Sequence, residues 1–427
     1  MLVVRVHSKE DLESKRNVID NIARDFVSKA VEYGFARIFS YPSIDSVFAS
    51  AMLVTGLQRM GISSALSITL EPPRRADVPH VVIGYSTPKT VENKGDSLRV
   101  CLSRRISEPP SPNSFCLEFD SSYGIGLAAF MQNTGIVNSD LAVLSILSPY
   151  LSCPACNPEL TELERSYLDD WMARKDFEGI EKREDILLHG IDRYALAYSV
   201  HYTIEPYIPG LTGDKSTVVE ELALRGLDKY AASKASEVDS RHMAELLKII
   251  ASRIQDHSKI RKDPRDLIGN IIIIKSLGVD LLTLKRLLYL MIAYEGRFDP
   301  VFRLVINPGD FIEEALRLHE EVVDTGGAVD HIRSSFVRYH RLRSYPWLNA
   351  YLIQGVPQYL LHIIGFNLRF YGFIENDALV LGVVDRDKAV TTISEVEYSR
   401  GPDLLKKIYS QMIGEQRDAL VYVNIAK

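Results

Sequence analysis

Cysteine is scarce in this sequence, with four residues among 427. So few thiols exclude a scaffold held together by several disulfides, which is typical of small secreted domains. Cys153 and Cys156 form a C-x-x-C pair, a spacing that suits half a zinc site, a redox pair or a disulfide. A zinc site needs a second pair, and Cys101 and Cys116 are badly spaced for one. We therefore favour structural cysteines over a disulfide or a metal site.

A long uninterrupted hydrophobic run is also absent. The most apolar stretch, residues 269–294, is broken by four charged residues: Lys275, Asp280, Lys285 and Arg286. It falls short of the roughly 20 apolar residues that span a bilayer, and we interpret it as buried helices. The first 16 residues have no apolar signal core, so no secretory segment is predicted. We expect a soluble, cytoplasmic protein without a membrane partner.

Positive charge is not in excess either. The net charge of -6 at pH 7 and the isoelectric point near 6.0 argue against a protein that coats nucleic acid nonspecifically. A local groove for DNA is still compatible with these totals. The sequence also lacks G-x-x-x-x-G-K-[ST], which excludes a P-loop NTPase.

Strands that alternate with helices fill the first part of the chain. The apolar patterns predict strands at residues 35–40, 64–72, 80–86, 97–103 and 113–120, the last as an edge strand. This alternation predicts a doubly wound parallel-sheet α/β domain over residues 1–160. Sites in such sheets lie at the carboxyl ends of the strands, which here are the stretches around Asp45, Gly84, Leu102 and Ser152.

The remaining chain divides into two predicted parts. Residues 161–345 form a mainly helical middle region, interrupted by a turn-rich stretch at 205–217. Residues 346–427 give the order strand, helix, strand, strand, helix, strand. This order predicts a small C-terminal α/β domain.

The run YPSIDSVFASAML, residues 41–53, leads from a strand through a polar turn into a helix of small residues. Backbone N–H groups and an aspartate at such a turn can share an ion or a phosphate. A metal site needs several hard oxygen ligands, and this turn offers one carboxylate, Asp45. We favour a structural role for Asp45, as the N-cap of the following helix, over residual metal binding.

The order of elements and this turn resemble the DHH phosphoesterase superfamily. Within it, the chain is similar to the archaeal RecJ-like nucleases and to the catalytically reduced replication proteins of the cell-division-cycle-forty-five type. In the nucleases the first motif is His-x-Asp-x-Asp-Gly, and the equivalent run here is YPSIDS, residues 41–46. The stretch at 199–227 is similar to the segment that follows the DHH core in archaeal relatives. Residues 346–427 resemble the DHHA1 substrate domain, but their glycine-rich motif retains only Gly414 and no histidine.

The departures from the superfamily pattern concern the metal ligands. The resemblance implies a two-metal centre held by carboxylates and histidines, and only Asp45 keeps a carboxylate. The other aligned positions hold residues that cannot replace those ligands: Ser43, Gly84, Leu102, Ser103, Arg104 and Ser152. Arg104 would also repel a bound cation. We therefore expect no catalytic residues, no metal and no cofactor.

Arginines supply the candidates for DNA contact. Arg104 and Arg105 follow a strand that faces the former active cleft, where they could contact a phosphate, although a surface ion pair is the favoured interpretation. Arg338, Arg341 and Arg343 lie among aromatic residues within 331–347, a composition typical of single-strand binding. The favoured alternative there is a helix with its aromatics in the core and its arginines in solvent.

The resemblance implies a non-catalytic replication factor. Such a protein would bind GINS and, through GINS, the MCM helicase ring in a CMG-type complex, and could guide single-stranded DNA. The alternative is a metal-dependent single-strand exonuclease of the RecJ-like class that takes its ligands from other positions.

Overall fold

A computed structural model describes residues 2–71, 75–85, 92–93, 98–104, 114–152, 158–174, 179–325, 327–345, 347–399, 402–411 and 414–425. Contacts divide these residues into two compact units. The first unit comprises the described residues within Met1–Cys153 and Pro158–Glu178, together with Val301–Asn307. The second comprises the described residues within Gly179–Pro300 and Pro308–Lys427. The finer division into three domains at residues 160 and 345 stays a prediction.

The first unit alternates strands and helices. Its strands are β1 (Leu2–Val6), β2 (Phe35–Ser40), β3 (Ser63–Ile68), β4 (Arg75–Ala76), β5 (His80–Ile83), β6 (Glu92–Asn93), β7 (Arg99–Ser103) and β8 (Ser114–Phe119). Its helices are α1 (Lys9–Ser14), α2 (Arg16–Tyr33), α3 (Ile44–Arg59), α4 (Tyr123–Met131), α5 (Ser139–Leu144), α6 (Ser148–Ser152) and α7 (Glu162–Met172).

Among the described residues, six of these strands form one sheet in the order β1-β8-β7-β5-β2-β3, and all its neighbours pair in parallel. The predicted doubly wound parallel sheet is therefore confirmed. The prediction of residues 113–120 as an edge strand is wrong, because β1 pairs with the outer side of β8. The sequence analysis missed β1, which has only five residues and is partly exposed.

Helix α3 lies in the core of this unit. Every residue from Ile44 to Leu53 is buried, and the helix contacts β2, β3, α4 and α6. Small residues such as Ala49 and Ala51 allow this close approach on several sides. Because the start of α3 is buried, Asp45 in its first turn lies inside the protein.

The second unit adds antiparallel strands to helices. Its strands are β9 (Ile180–Ile186), β10 (Ile268–Ile274), β11 (Val279–Asp280), β12 (Tyr339–Arg341), β13 (Ala350–Ile353), β14 (Leu379–Val383), β15 (Lys388–Thr392), β16 (Gly414–Arg417) and β17 (Leu420–Asn424). Its helices are α8 (Leu196–Tyr202), α9 (Lys215–Leu224), α10 (Ser240–His257), α11 (Leu281–Glu295), α13 (Pro308–Asp324), α14 (Ala328–Ser335), α15 (Leu361–Phe370), α16 (Ile393–Ser399) and α17 (Pro402–Ser410). Helix α12 (Asp299–Ile306) lies between α11 and α13 in the chain, and most of its residues belong to the first unit.

The prediction of buried helices over residues 269–294 is half wrong. The isoleucine run forms the strand β10, because β-branched side chains fit a pleated surface better than a helix. This strand pairs antiparallel with β9. Only the second half forms a helix, α11. Within the described residues, no helix is long and apolar enough to cross a membrane.

The C-terminal part contains a mixed sheet. Its order is β12-β13-β14-β15-β17-β16 over the residues that the structure describes, and the predicted small α/β fold is confirmed. The third strand of the order predicted for residues 346–427, which the apolar pattern places at 389–398, is only half a strand: β15 ends at Thr392 and α16 begins at Ile393. The Thr392 hydroxyl accepts the Glu395 N–H at 3.2 Å, a capping contact that starts the helix.

Candidate site at the carboxyl ends of the parallel strands

The candidate site lies where three adjacent strands of the parallel sheet end. Strands β7, β5 and β2 are neighbours, and each is followed by a residue that the sequence analysis selected. Tyr41 follows β2, Gly84 follows β5 and Arg104 follows β7. Parallel register brings the carboxyl ends of the strands to one edge, so these positions share one edge of the sheet.

Asp45 lies in the first turn of α3 and is not its N-cap. The cap is Ser43, whose hydroxyl accepts the Ser46 N–H, and the prediction that Asp45 caps α3 is therefore wrong. The Asp45 carboxylate, which is 2% exposed, bonds to other elements instead.

Three donors surround this carboxylate. The Ser148 hydroxyl donates to Oδ1. The Tyr123 N–H donates to Oδ2 at 2.8 Å, and Arg104 Nη2 donates to the same oxygen at 2.7 Å. Burial raises the pKa of the Asp45 carboxyl, whereas the Arg104 guanidinium and the Ser148 hydroxyl oppose that shift. Both oxygens of Asp45 are thus engaged by groups of the protein.

One partner of Asp45, the Tyr123 N–H, belongs to the start of α4. The N–H groups of Tyr123 and Gly124 are among the helix-terminal donors that lack partners within the helix. Gly124 N donates to Ser148 Oγ at 2.7 Å, and Ser122 N donates to Glu164 Oε1 at 2.6 Å. Asp45, Ser148 and Glu164 together satisfy these buried donors, so the site stabilises a helix terminus.

The sequence analysis missed Ser148 and Glu164. Thr161 and Glu164 form a T-x-x-E capping box at α7, a local signal that is visible in the sequence. Nothing in the sequence indicates that the other Glu164 oxygen reaches Ser122. Ser152, at the position that the resemblance aligns with a metal ligand, donates to the Pro149 carbonyl at 3.0 Å, and Ser148 is the serine that contacts Asp45.

Gly84 has no room for a side chain. Its φ is +90°, in the region that favours glycine, and a Cβ there would lie 2.9 Å from Tyr41 Cβ and even closer to Ser46 Oγ. The aspartate that the resemblance places at this position in the nucleases therefore does not fit unless α3 moves. Ser46 and Tyr41 close the space that such a carboxylate would occupy.

Tyrosines and a serine fill the rest of this edge. Tyr41 and Tyr85 are buried and meet edge to face with ring centroids 5.7 Å apart. Tyr85 Oη donates to the Ser40 carbonyl at 2.9 Å. Leu102 is buried, and Ser103 Oγ donates to the Tyr85 carbonyl at 3.1 Å. These contacts are structural, and none provides a ligand with the charge that a divalent cation requires.

The residues present do not fit a two-metal centre. Over the described ranges, no three His, Cys, Asp or Glu side chains converge where a metal ion could bind. The one carboxylate at the aligned positions already accepts from Ser148, Tyr123 and Arg104, and the arginine places a positive charge beside it. No catalytic step through a metal follows from this arrangement.

Arg104 combines two contacts. Besides its ion pair with Asp45, its guanidinium lies 4.8 Å from the centroid of the Tyr123 ring, a cation–π distance. Its side chain is 40% exposed, so a phosphate contact is sterically open although the charge is already paired. Arg105, Cys153 and Cys156 lie outside the described residues.

The other arginine candidates lie in the second unit. Arg338, Arg341 and Arg343 are exposed, and Arg341 belongs to the edge strand β12. Phe336 and Tyr339 pack against the core, as the favoured interpretation expected, but the segment leaves its helix at Ser335. The three arginines therefore project from a turn and an edge strand.

Cys101 and Cys116 are buried free thiols. They are register partners on the neighbouring strands β7 and β8. Their burial agrees with a structural role for these two cysteines.

Comparison with known proteins identifies the fold. No protein-family model and no curated protein matches this chain. The solved structure of CDC45 from Entamoeba histolytica is similar with a TM-score of 0.60 and 10% identity, over 99% of this chain and 97% of that chain. The predicted resemblance is thus confirmed at the level of the fold.

Two structures of RecJ also match. RecJ from Thermus thermophilus in complex with Mn²⁺ gives a TM-score of 0.42 at 10% identity, over 96% of this chain and 52% of that chain. The structure of an exonuclease RecJ bound to manganese gives a TM-score of 0.39 at 10% identity, over 96% of this chain and 90% of that chain.

Proposed function

We propose that this chain is a non-catalytic replication factor that acts in the cytoplasm as a scaffold, binds GINS and, through GINS, holds the MCM helicase ring. Similarity of fold to CDC45 over nearly the whole of both chains supports the class. The observation that carries the loss of catalysis is the Asp45 carboxylate, both of whose oxygens accept hydrogen bonds from protein donors.

Metal-dependent phosphoester hydrolysis requires two cations that activate water and neutralise the scissile phosphate. At the aligned positions Arg104 supplies a fixed positive charge where a cation would compete for Asp45. Gly84 leaves no space for a second carboxylate. The alternative, a RecJ-like single-strand exonuclease, would need a ligand set at other positions, and the described residues contain no such cluster.

A scaffold needs surface area for its partners. Stable interfaces bury about 800 Å² on each partner, and the accessible surface of this chain is 18133 Å². Two such interfaces would cover about a tenth of that surface. Exposed Arg338, Arg341 and Arg343 are the candidates for guiding single-stranded DNA.

The proposal is tested by mixing the full chain with purified GINS, and then with MCM, in size-exclusion chromatography with light scattering at about 150 mM salt, where the Debye length is ~8 Å. We expect a GINS complex with a Kd of about 1 μM or tighter, typical of standard-size interfaces, and MCM in the complex only when GINS is present. A triple variant, Arg338→Ala with Arg341→Ala and Arg343→Ala, serves as a control that should weaken DNA binding and leave GINS binding unchanged. Separate elution of the chain and GINS would exclude the scaffold function.

A further inference from the structure

A groove of about 390 Å³ opens in the second unit. It lies beside the turn that leads into β10 and beside α15. Its lining combines apolar and charged residues, among them Lys262, Arg265, Asp266, Arg286, Phe366 and Phe370. The volume lies in the range of about 300–1,000 Å³ that small-molecule sites have.

Arg286 forms part of the inner wall and is 4% exposed. Its Nη2 donates to the Glu205 carbonyl, and its Nε lies 3.7 Å from a Glu205 carboxylate oxygen. Neither Nε nor Nη1 has a hydrogen-bond partner among the described groups. Buried donors without partners are costly to a protein. Both nitrogens are closed off in this structure, so an anion in the groove would supply acceptors for them once the side chain turns toward it.

Lys262 is the second cation of the groove. Its ammonium lies 4.0 Å from the centroid of the Phe370 ring. Burial lowers the pKa of Lys262, and Asp266 only partly opposes this effect. A lysine with this environment gains from a nearby anion, because the anion stabilises its charged form.

The acidic side chains near the groove are engaged locally. Asp263 binds the Arg265 guanidinium, with Nη2 and Oδ2 2.6 Å apart. Asp266 accepts the Asp263 N–H at 3.3 Å as part of the capping of the same turn. Lys262 keeps a charge that Asp266 only partly offsets, whereas Arg286 is paired with Glu205 and offers a ligand its Nε and Nη1 donors.

The apolar side of the groove is aromatic. Phe366 and Phe370 lie one helical turn apart on α15. Their ring centroids are 5.8 Å apart and their ring planes are inclined by 16°. Both are half-buried and line the groove. Flat apolar rings beside two cations match a ligand that carries a planar ring and an anionic group.

We propose that this groove binds a nucleoside phosphate, with the phosphate at Lys262 and Arg286 and the base along Phe366 and Phe370. A phosphate fits better than a carboxylate because it presents three acceptor oxygens to the several N–H donors of the two cations. The source is either a free nucleotide or one nucleotide unit of a single strand. The site does not depend on GINS binding and is separate from the carboxyl ends of the parallel strands.

Isothermal titration calorimetry of the full chain with thymidine monophosphate and with inorganic phosphate tests the site. Lys262→Ala should weaken both ligands by roughly 10–100-fold, the effect of losing one charged hydrogen bond. Phe370→Leu should weaken the nucleotide and leave inorganic phosphate unchanged. Lys248→Ala, which removes an exposed lysine paired with Glu245 on α10, should change neither affinity.

Competition distinguishes the two sources. If thymidine monophosphate displaces a labelled oligothymidylate and Lys262→Ala weakens that oligonucleotide, the groove takes a nucleotide unit of a strand. If neither thymidine monophosphate nor the Lys262→Ala substitution changes the binding of the oligonucleotide, the groove takes a free nucleotide. Absence of nucleotide binding, or equal losses in Lys262→Ala and Lys248→Ala, overturns the proposal. Neither of these results bears on the GINS complex, which is measured separately.

Discussion

Asp45→Ala is expected to lower the free energy of unfolding by about 2–6 kcal/mol, because two buried groups lose their acceptor at about 1–3 kcal/mol each. These groups are the Tyr123 N–H at the start of α4 and the Ser148 hydroxyl. Arg104 adds little to this loss, since its side chain is 40% exposed and water can replace the carboxylate. Urea unfolding monitored by circular dichroism measures the change.

Asp45→Asn and Ser152→Ala are the matched variants. The asparagine retains an acceptor for Tyr123 N, so its loss should be smaller, about 1–3 kcal/mol. Ser152→Ala removes only a bond to the Pro149 carbonyl and should cost less than about 1 kcal/mol. A neutral or stabilising Asp45→Ala would contradict the account, because that is the behaviour of a metal ligand held near other carboxylates without its ion.

Gly84→Asp, which introduces the carboxylate that the resemblance implies at that position, is expected to destabilise the protein by about 2–6 kcal/mol and to create no metal site. A left-handed backbone costs a non-glycine residue about 1–3 kcal/mol, and an overpacked core adds about 1–3 kcal/mol. The overpacking arises at Tyr41 and Ser46, which a Cβ would meet. Thermal and urea unfolding measure the loss, and calorimetry with Mn²⁺ measures any gained binding.

Gly61→Asp isolates the backbone contribution. Gly61 has a φ of +76°, and a Cβ there would meet nothing within 4 Å. This variant should therefore show the backbone strain alone, about 1–3 kcal/mol. If Gly84→Asp is no more destabilising than Gly61→Asp, or if it binds Mn²⁺ tightly, the strand-end space is open and our description of it is wrong.

The parallel sheet could be predicted from the sequence because its strands are short apolar runs separated by turns and helices. The prediction failed where local pattern and tertiary pairing disagree. β1 is defined by its pairing with β8, which lies far away in the chain. The isoleucine run of β10 has the β-branched composition that favours a strand, but its partner β9 lies far away in the chain. The helix that starts at Ile393 interrupts an apolar pattern that also suits a strand.

The sequence predicted that Asp45 is the one carboxylate at the aligned positions, but it did not predict what surrounds that carboxylate. Its donors Arg104, Tyr123 and Ser148 are 59, 78 and 103 residues away. The sequence predicts which elements end near one edge, but not which hydroxyl faces which oxygen. The N-cap prediction was wrong because Ser43 and Asp45 are both good N-cap residues. The sequence does not show at which of the two the helix begins.

Counting Mn²⁺ ions bound to the full chain by electron paramagnetic resonance tests the central claim most directly. We expect no site tighter than about 1 mM, because protein donors already engage both oxygens of Asp45 and the neighbouring Glu164 carboxylate accepts from Ser122. Asp45→Asn should give the same titration. Two ions bound at micromolar concentration, lost in Asp45→Asn together with Mn²⁺-dependent cleavage of single-stranded DNA, would contradict it.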